Sequence, residues 1–180
     1  MAKLLLGWIL CWSVGARAND DAVTVQLSTV RFTQSIGYSG QPMIENTIFP
    51  LDIKAGYAWN NGFYLGGNIT TMQDISTTGV DNLSGVAVTV GYHIVGFYAD
   101  VYYYLWSQLM RGDGYTFLGG SNFGMEIGYN TNVYGNYFVG AGLVYKSFSW
   151  SESTSPTGAR ALLANTWTNE YPVLNFGRSF

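Results

Sequence analysis

Six charged side chains recur on one side of the segments that carry them: Arg31, Asp52, Lys54, Asp100, Glu126 and Lys146. Three are cations and three are anions. Charges withdrawn from water persist only when they are paired and hydrogen-bonded. A balanced set is therefore expected to form a fixed ion-pair network inside a closed shell, with a gated, narrow ion pathway as the alternative. Two carboxylates also serve as acid and base in glycoside hydrolysis, but the sugar must reach between them, and a filled interior leaves no room. The one histidine, His93, falls at a predicted short turn with no evident partner. Serine nucleophiles normally need such a base beside them, so its position speaks against catalysis. With one cysteine, Cys11, and no second histidine, no metal site of workable spacing arises, and no cofactor is expected. Arg111-Gly112-Asp113 spells an adhesion tripeptide, although Gly-Asp-Gly is also ordinary turn chemistry.

Strands must position these charges, because apolar and polar residues alternate along most of the chain. Eight segments are predicted, over about 29–38, 48–59, 63–72, 83–92, 97–109, 122–129, 137–146 and 166–180. In the second, Phe49, Leu51, Ile53, Ala55, Tyr57 and Trp59 oppose Asp52, Lys54 and Gly56. In the fifth, Phe97, Ala99, Val101, Tyr103 and Leu105 oppose Tyr98, Asp100, Tyr102, Tyr104 and Trp106. The sixth sets Phe123, Met125, Ile127 and Tyr129 against Asn122, Gly124, Glu126 and Gly128. The first segment breaks the pattern. Val23, Val25 and Leu27 are apolar at odd positions, whereas Val30, Phe32 and Ile36 are even, so a bulge or break is expected near Ser28. Asn19 to Leu27 reads as an extension outside the wall.

Connections alternate in length. Those over 39–47, 73–82, 110–120 and 151–165 are long and polar; those over 60–62, 93–96 and 130–136 are short. Long outer loops with short periplasmic turns are the habit of outer-membrane barrels. Tyr57, Trp59, Tyr92, Tyr129 and Tyr137 gather toward the short turns, as an interfacial aromatic girdle does. The opposite face, rich in Gly, Asn, Thr and Tyr, reads as a packed polar lumen and not an oily core.

Composition agrees. Only 11% of the 180 residues are charged, 17% are aromatic and 23 are Gly, which favours strands and tight turns. Lys3, the apolar run Leu4 to Val14 and Ala16-Arg17-Ala18 form a secretory signal peptide over 1–18, leaving a domain over 19–180. Cleavage leaves six basic residues against 11 acidic ones, a net charge of −5, and no cysteine. Nucleic acid is not an expected partner.

The eight strands, the signal peptide and the C-terminal phenylalanine resemble the small OmpA- and OmpX-type outer-membrane barrels. The resemblance is carried most sharply by Leu174, Phe176 and Phe180, which alternate before the end. It implies an all-β, eight-stranded antiparallel up-and-down transmembrane β-barrel. It also implies an assembly signal read by the outer-membrane assembly machinery, contact with outer-membrane lipid and lipopolysaccharide, and a monomer. Arg178 departs from the terminal pattern, as expected of a side chain that snorkels to headgroups. The expectation is a non-catalytic barrel with a structural or surface-interaction role through its outer loops. The alternatives are a small channel or porin, and an enzyme acting on lipid A or phospholipid.

Overall fold

The computed structural model describes residues 21–36, 44–76 and 79–180. The predicted signal peptide lies outside them. The described chain forms ten strands: β1 (Ala22–Thr29), β2 (Phe32–Ile36), β3 (Ile44–Ala58), β4 (Phe63–Ser76), β5 (Gly79–Ile94), β6 (Phe97–Met110), β7 (Thr116–Leu118), β8 (Asn122–Tyr134), β9 (Tyr137–Thr154) and β10 (Arg160–Ser179). All pairings are antiparallel. Eight strands close a ring in the order β1, β3, β4, β5, β6, β8, β9, β10 and back to β1. The short strands β2 and β7 extend the wall at one end.

Closure depends on β1. Thr24 to Thr29 pair with β10 and Ala22 to Thr29 with β3, so residues 22–27 belong to the wall and are not an extension outside it. The predicted break exists, at Val30–Arg31. Its consequence is the reverse of the expected one. Val23, Val25 and Leu27 point outward, while Val30 and Phe32 pack against the interior. Face follows parity only while the ladder is unbroken.

Short turns at one end fit their residues. Asn60-Asn61-Gly62 carries Gly62 at φ 89°, and the Trp59 carbonyl accepts from Gly62 N at 2.9 Å. At the other end, strands run further than sequence alternation showed. β9 and β10 pair as far as Thr154 and Arg160, leaving a tight turn over 155–159. The predicted long loop over 110–120 contains β7.

Outward side chains are apolar all round the ring. Val25, Ile53, Ile69, Val88, Val101, Ile127, Leu143 and Leu174, one from each ring strand, are 38–61% exposed. A bulge shifts the phase of β6: Val86 faces Trp106 and Ala87 faces Tyr104, so Leu105 is the extra residue. Trp106, predicted to face inward, therefore points out beside Leu105, and Ser107 and Leu109 turn in.

Candidate functional site: the charged interior and its vestibule

An eight-stranded ring is just wide enough for side chains to fill it, and here large residues are fitted against glycine. Tyr98 lies over Gly128 and Gly142, Tyr64 over Gly56 and Gly66, and Phe138 over Gly177. The inward glycines thus leave room for inward rings on neighbouring strands.

Asp52, Lys54, Asp100, Glu126 and Lys146 all point inward and are at most 2% exposed. Asp100 and Glu126 are directly opposite in the β6–β8 ladder, a like-charge pairing that is unfavourable alone. Lys54 resolves it by crossing from β3. Its Nζ donates to Asp100 Oδ2 at 2.9 Å and to Glu126 Oε2 at 3.0 Å. Glu126 also accepts from the hydroxyls of Tyr98, at 2.5 Å, and Tyr102. Asn175 of β10 donates to Tyr98 Oη at 2.5 Å. One tier further from the short turns, Lys146 of β9 grips Asp52 of β3, donating to Oδ1 at 2.6 Å and Oδ2 at 2.8 Å. Thr70 donates to the same Oδ1 at 2.5 Å and lies 2.9 Å from Tyr104 Oη. Together these bonds span the ring from wall to wall.

Five of the six predicted charges meet in this network. The sixth, Arg31, does not: it is exposed at the break between β1 and β2, because the altered phase there turns Phe32 inward instead. The three-against-three balance read from the sequence is therefore not the balance of the interior. Its place beside the carboxylates is taken by His93, which sequence reading left without a partner. His93 Nε2 is 2.8 Å from Asp100 Oδ1. The ring stacks on Tyr64 at 4.5 Å and tilts against Tyr98 at 5.7 Å. The signal for it was present: Tyr64, Tyr98 and Tyr102 share the inward parity of the acids.

His93 also borders a cavity of about 770 Å³ at the short-turn end, lined by Thr24, Gln26, Tyr98, Asn130 and Phe138 among others. The vestibule ends at the charged network. Beyond that network, toward the long hairpins, the interior is mostly apolar, with Asn122 donating to Ser107 Oγ at 2.6 Å inside it. Ile48, Met72, Leu83, Leu109, Phe117, Phe148 and Trp150 are all buried, with Phe148 stacked on Trp150 at 5.6 Å. The expectation of a wholly polar lumen fails here: half of the interior is an oily core.

Outside the ring, Leu174, Phe176 and Phe180 are outward and exposed, as their alternation predicted. Arg178 lies over the rings of Tyr137 and Phe180, at 5.0 and 4.5 Å. Tyr57, Trp59 and Phe63 form a run of rings near the short turns, as do Phe97 and Tyr129. Arg111-Gly112-Asp113 is folded into a turn in which Arg111 Nη2 lies 3.3 Å from Asp113 Oδ2 and Gly112 N donates to Asp81 Oδ1 at 2.9 Å. The tripeptide's charges are thus turned toward each other.

No family model matches the chain, and no curated protein matches it. Among solved structures it is similar to OmpT (in-vitro folded), an outer membrane protein of Vibrio cholerae in its trimer form. Identity is 13% and the TM-score 0.36, over 89% of this chain and 52% of that one. This chain spans about half the length of that structure. The expectation of a protein without catalytic activity is corrected, because a ground given for it does not hold. Its premise, an unpartnered His93, fails at the 2.8 Å contact with Asp100.

Proposed function

We propose that this chain is an integral outer-membrane β-barrel, closed to ion flow, which serves the envelope structurally and through the surface at its long-hairpin end. The observation that carries this reading is its inverted polarity. Each ring strand turns an exposed apolar side chain outward, while five charged side chains are buried inside. Water on the outside would reward the opposite arrangement; hydrocarbon rewards this one. Rings of aromatic residues near the short turns fit the headgroup level. Outer-membrane lipid and lipopolysaccharide are then the partners of the outer face. Ring closure leaves no edge in the main wall for a second copy to extend, which favours a monomer.

The reading is tested by expressing the full chain in a Gram-negative host. The chain is expected in the outer-membrane fraction, folded only in detergent or lipid. A folded chain that stays in solution without either overturns the proposal. In planar bilayers no porin-sized currents are expected, because ion pairs and the Phe148–Trp150 layer fill successive levels of the lumen; such currents overturn the closed reading. Leu174, Phe176 and Phe180 serve as the assembly signal in this proposal. Deleting Phe180 is expected to lower the amount in the outer membrane, and an unchanged amount removes that role.

A further inference from the structure

The cavity of about 770 Å³ at the short-turn end has the size of a small-molecule site, and the proposed structural role makes no use of it. Its inner walls are rigid. Tyr98 is wedged over Gly128 and Gly142, and Phe138 over Gly177, so both rings are held where they border the cavity. Gln26, only 6% exposed, is held as well. Its Nε2 donates to Ser28 Oγ at 2.9 Å, and its Oε1 accepts from Asn130 Nδ2 at 3.3 Å. Asn130 in turn accepts from Asn175 Nδ2 at 3.3 Å. A side-chain amide carries two N–H donors, and Gln26 and Asn130 each spend one on these bonds. Asn132, Asn136 and Ser179 also line the cavity, and their side chains make no hydrogen bond among the described residues. Fixed amides with unspent capacity thus stand beside fixed rings.

We infer that this vestibule is a binding site for an uncharged saccharide. Charge selects against the alternatives. No lysine or arginine lines the cavity, so phosphate and carboxylate groups find no such cation there, and His93 already faces Asp100 at 2.8 Å. The one lining acidic side chain, Asp21, is exposed at the rim, where its Oδ1 accepts from Asn60 N at 2.8 Å. Phe180 stands at the rim too, its N–H on the Val23 carbonyl at 2.8 Å; Arg178, over its ring, belongs to the outer face. What remains inside is a set of amides and hydroxyls, which donate and accept alike. Sugar hydroxyls and acetamides do the same, and Tyr98 and Phe138 offer rings to cover the C–H face of a pyranose. A peptide shares the amide chemistry, but main-chain recognition needs a free strand edge, and the closed ring offers none here. The inference goes beyond the structural role and does not depend on it, since the same residues line the cavity in detergent as in a membrane.

The test uses the full chain, ¹⁵N-labelled and folded in detergent, titrated with triacetylchitotriose and separately with maltotriose. Saturable shifts of the side-chain amides of Gln26, Asn130, Asn132 and Asn136 are expected with at least one of the two. Asn132→Ala combined with Asn136→Ala removes two exposed side chains that hold nothing else in place, and is expected to raise Kd about tenfold. Ser179→Trp fills the vestibule from β10 and is expected to abolish binding. Asp21→Asn is expected to leave Kd unchanged. The absence of saturable shifts with both trisaccharides at millimolar concentration overturns the inference. So does tighter binding of spermidine that Asp21→Asn abolishes, which marks a cation site, and so does tighter binding of glucose 6-phosphate or of a blocked alanine–glycine tripeptide. Sugar shifts that survive the asparagine variants lie elsewhere on the molecule and overturn it too, so the inference stays decidable even if Ser179→Trp fails to fold.

Discussion

Toward its short turns the ring interior is built from ions and hydroxyls, and toward its long hairpins from Ile48, Met72, Leu83, Phe148 and Trp150. Both halves fill the same cross-section, but they hold it differently. The apolar half gains by removing side chains from water and tolerates small shifts in their positions. The ionic half gains little net energy, because desolvation cancels much of the attraction. Its demand is geometric: Lys54 must reach both Asp100 and Glu126 across the ring, and Lys146 must reach Asp52. One half adds stability, and the other fixes which strands face each other at which height.

The sharpest way to break this contrast is Lys54→Met. It leaves Asp100 and Glu126 opposed and unpaired, and removing one partner of a buried pair costs about 3–5 kcal/mol. Adding Glu126→Gln should restore part of the loss; a double variant no better than Lys54→Met alone, by urea unfolding in detergent, refutes the charge account. In the apolar half Leu83→Ala should cost about 2–5 kcal/mol through the cavity it leaves. That loss should be the same at pH 5.5 and 8.5, and a pH-dependent loss would mean that the halves are coupled. On the outer face Ile127→Arg should cost about 2–4 kcal/mol if it lies at mid-membrane. Its inward neighbour Gly128→Ser acts differently: a Cβ there meets the Tyr98 hydroxyl and the Ala141 carbonyl. If refolding in lipid shows no penalty for Ile127→Arg, the outer face is not in hydrocarbon.

Smaller effects come from the rim. Val95 holds φ at 48°, a left-handed value that a β-branched residue rarely adopts. Val95→Asn should stabilise the chain by about 1 kcal/mol, read from the unfolding midpoint. At the long-hairpin end Asp74 and Asp81 face each other across β4 and β5. Partial burial, then the neighbouring charge of Asp81, raises the Asp74 carboxyl above its ordinary range. Its folded state therefore favours the proton, so stability falls as pH rises past the usual carboxylate value. Asp74→Asn should remove that slope between pH 3.5 and 6, and an unchanged profile assigns the slope to other groups.

Much of this was legible because period-two alternation is nearly continuous from Phe49 to Tyr104 and again from Asn122 to Lys146. Each inward charge there follows from parity alone. The misplaced faces lie where parity is interrupted. The break at Val30–Arg31 sent Phe32 inward and left Arg31 outside. The extra residue Leu105 turned Trp106 outward. Neither carries a local mark, since a bulge is decided by the partner strand. The vestibule histidine was missed for another reason: its partner Asp100 lies seven residues on, across a turn, and only the hairpin brings them together. The oily half escaped notice because Ile48, Met72, Leu83 and Phe148 were read as strand ends or loop.

The ring closes where β1 meets β10, with Thr24 opposite Ser179 and Phe180 N donating to the Val23 carbonyl at 2.8 Å. Every other ladder joins strands that are consecutive or have one strand between them, as β1 with β3, β6 with β8 and β7 with β9 do. The last seam thus joins the two most distant parts of the described chain, and loop-closure entropy makes such contacts the slowest to form. Until it seals, β1 and β10 each expose a row of unpaired amides and carbonyls, the kind of edge that recruits other chains. The lifetime of that open sheet sets the window in which the nascent chain either aggregates or is held by a partner that pairs with its edge.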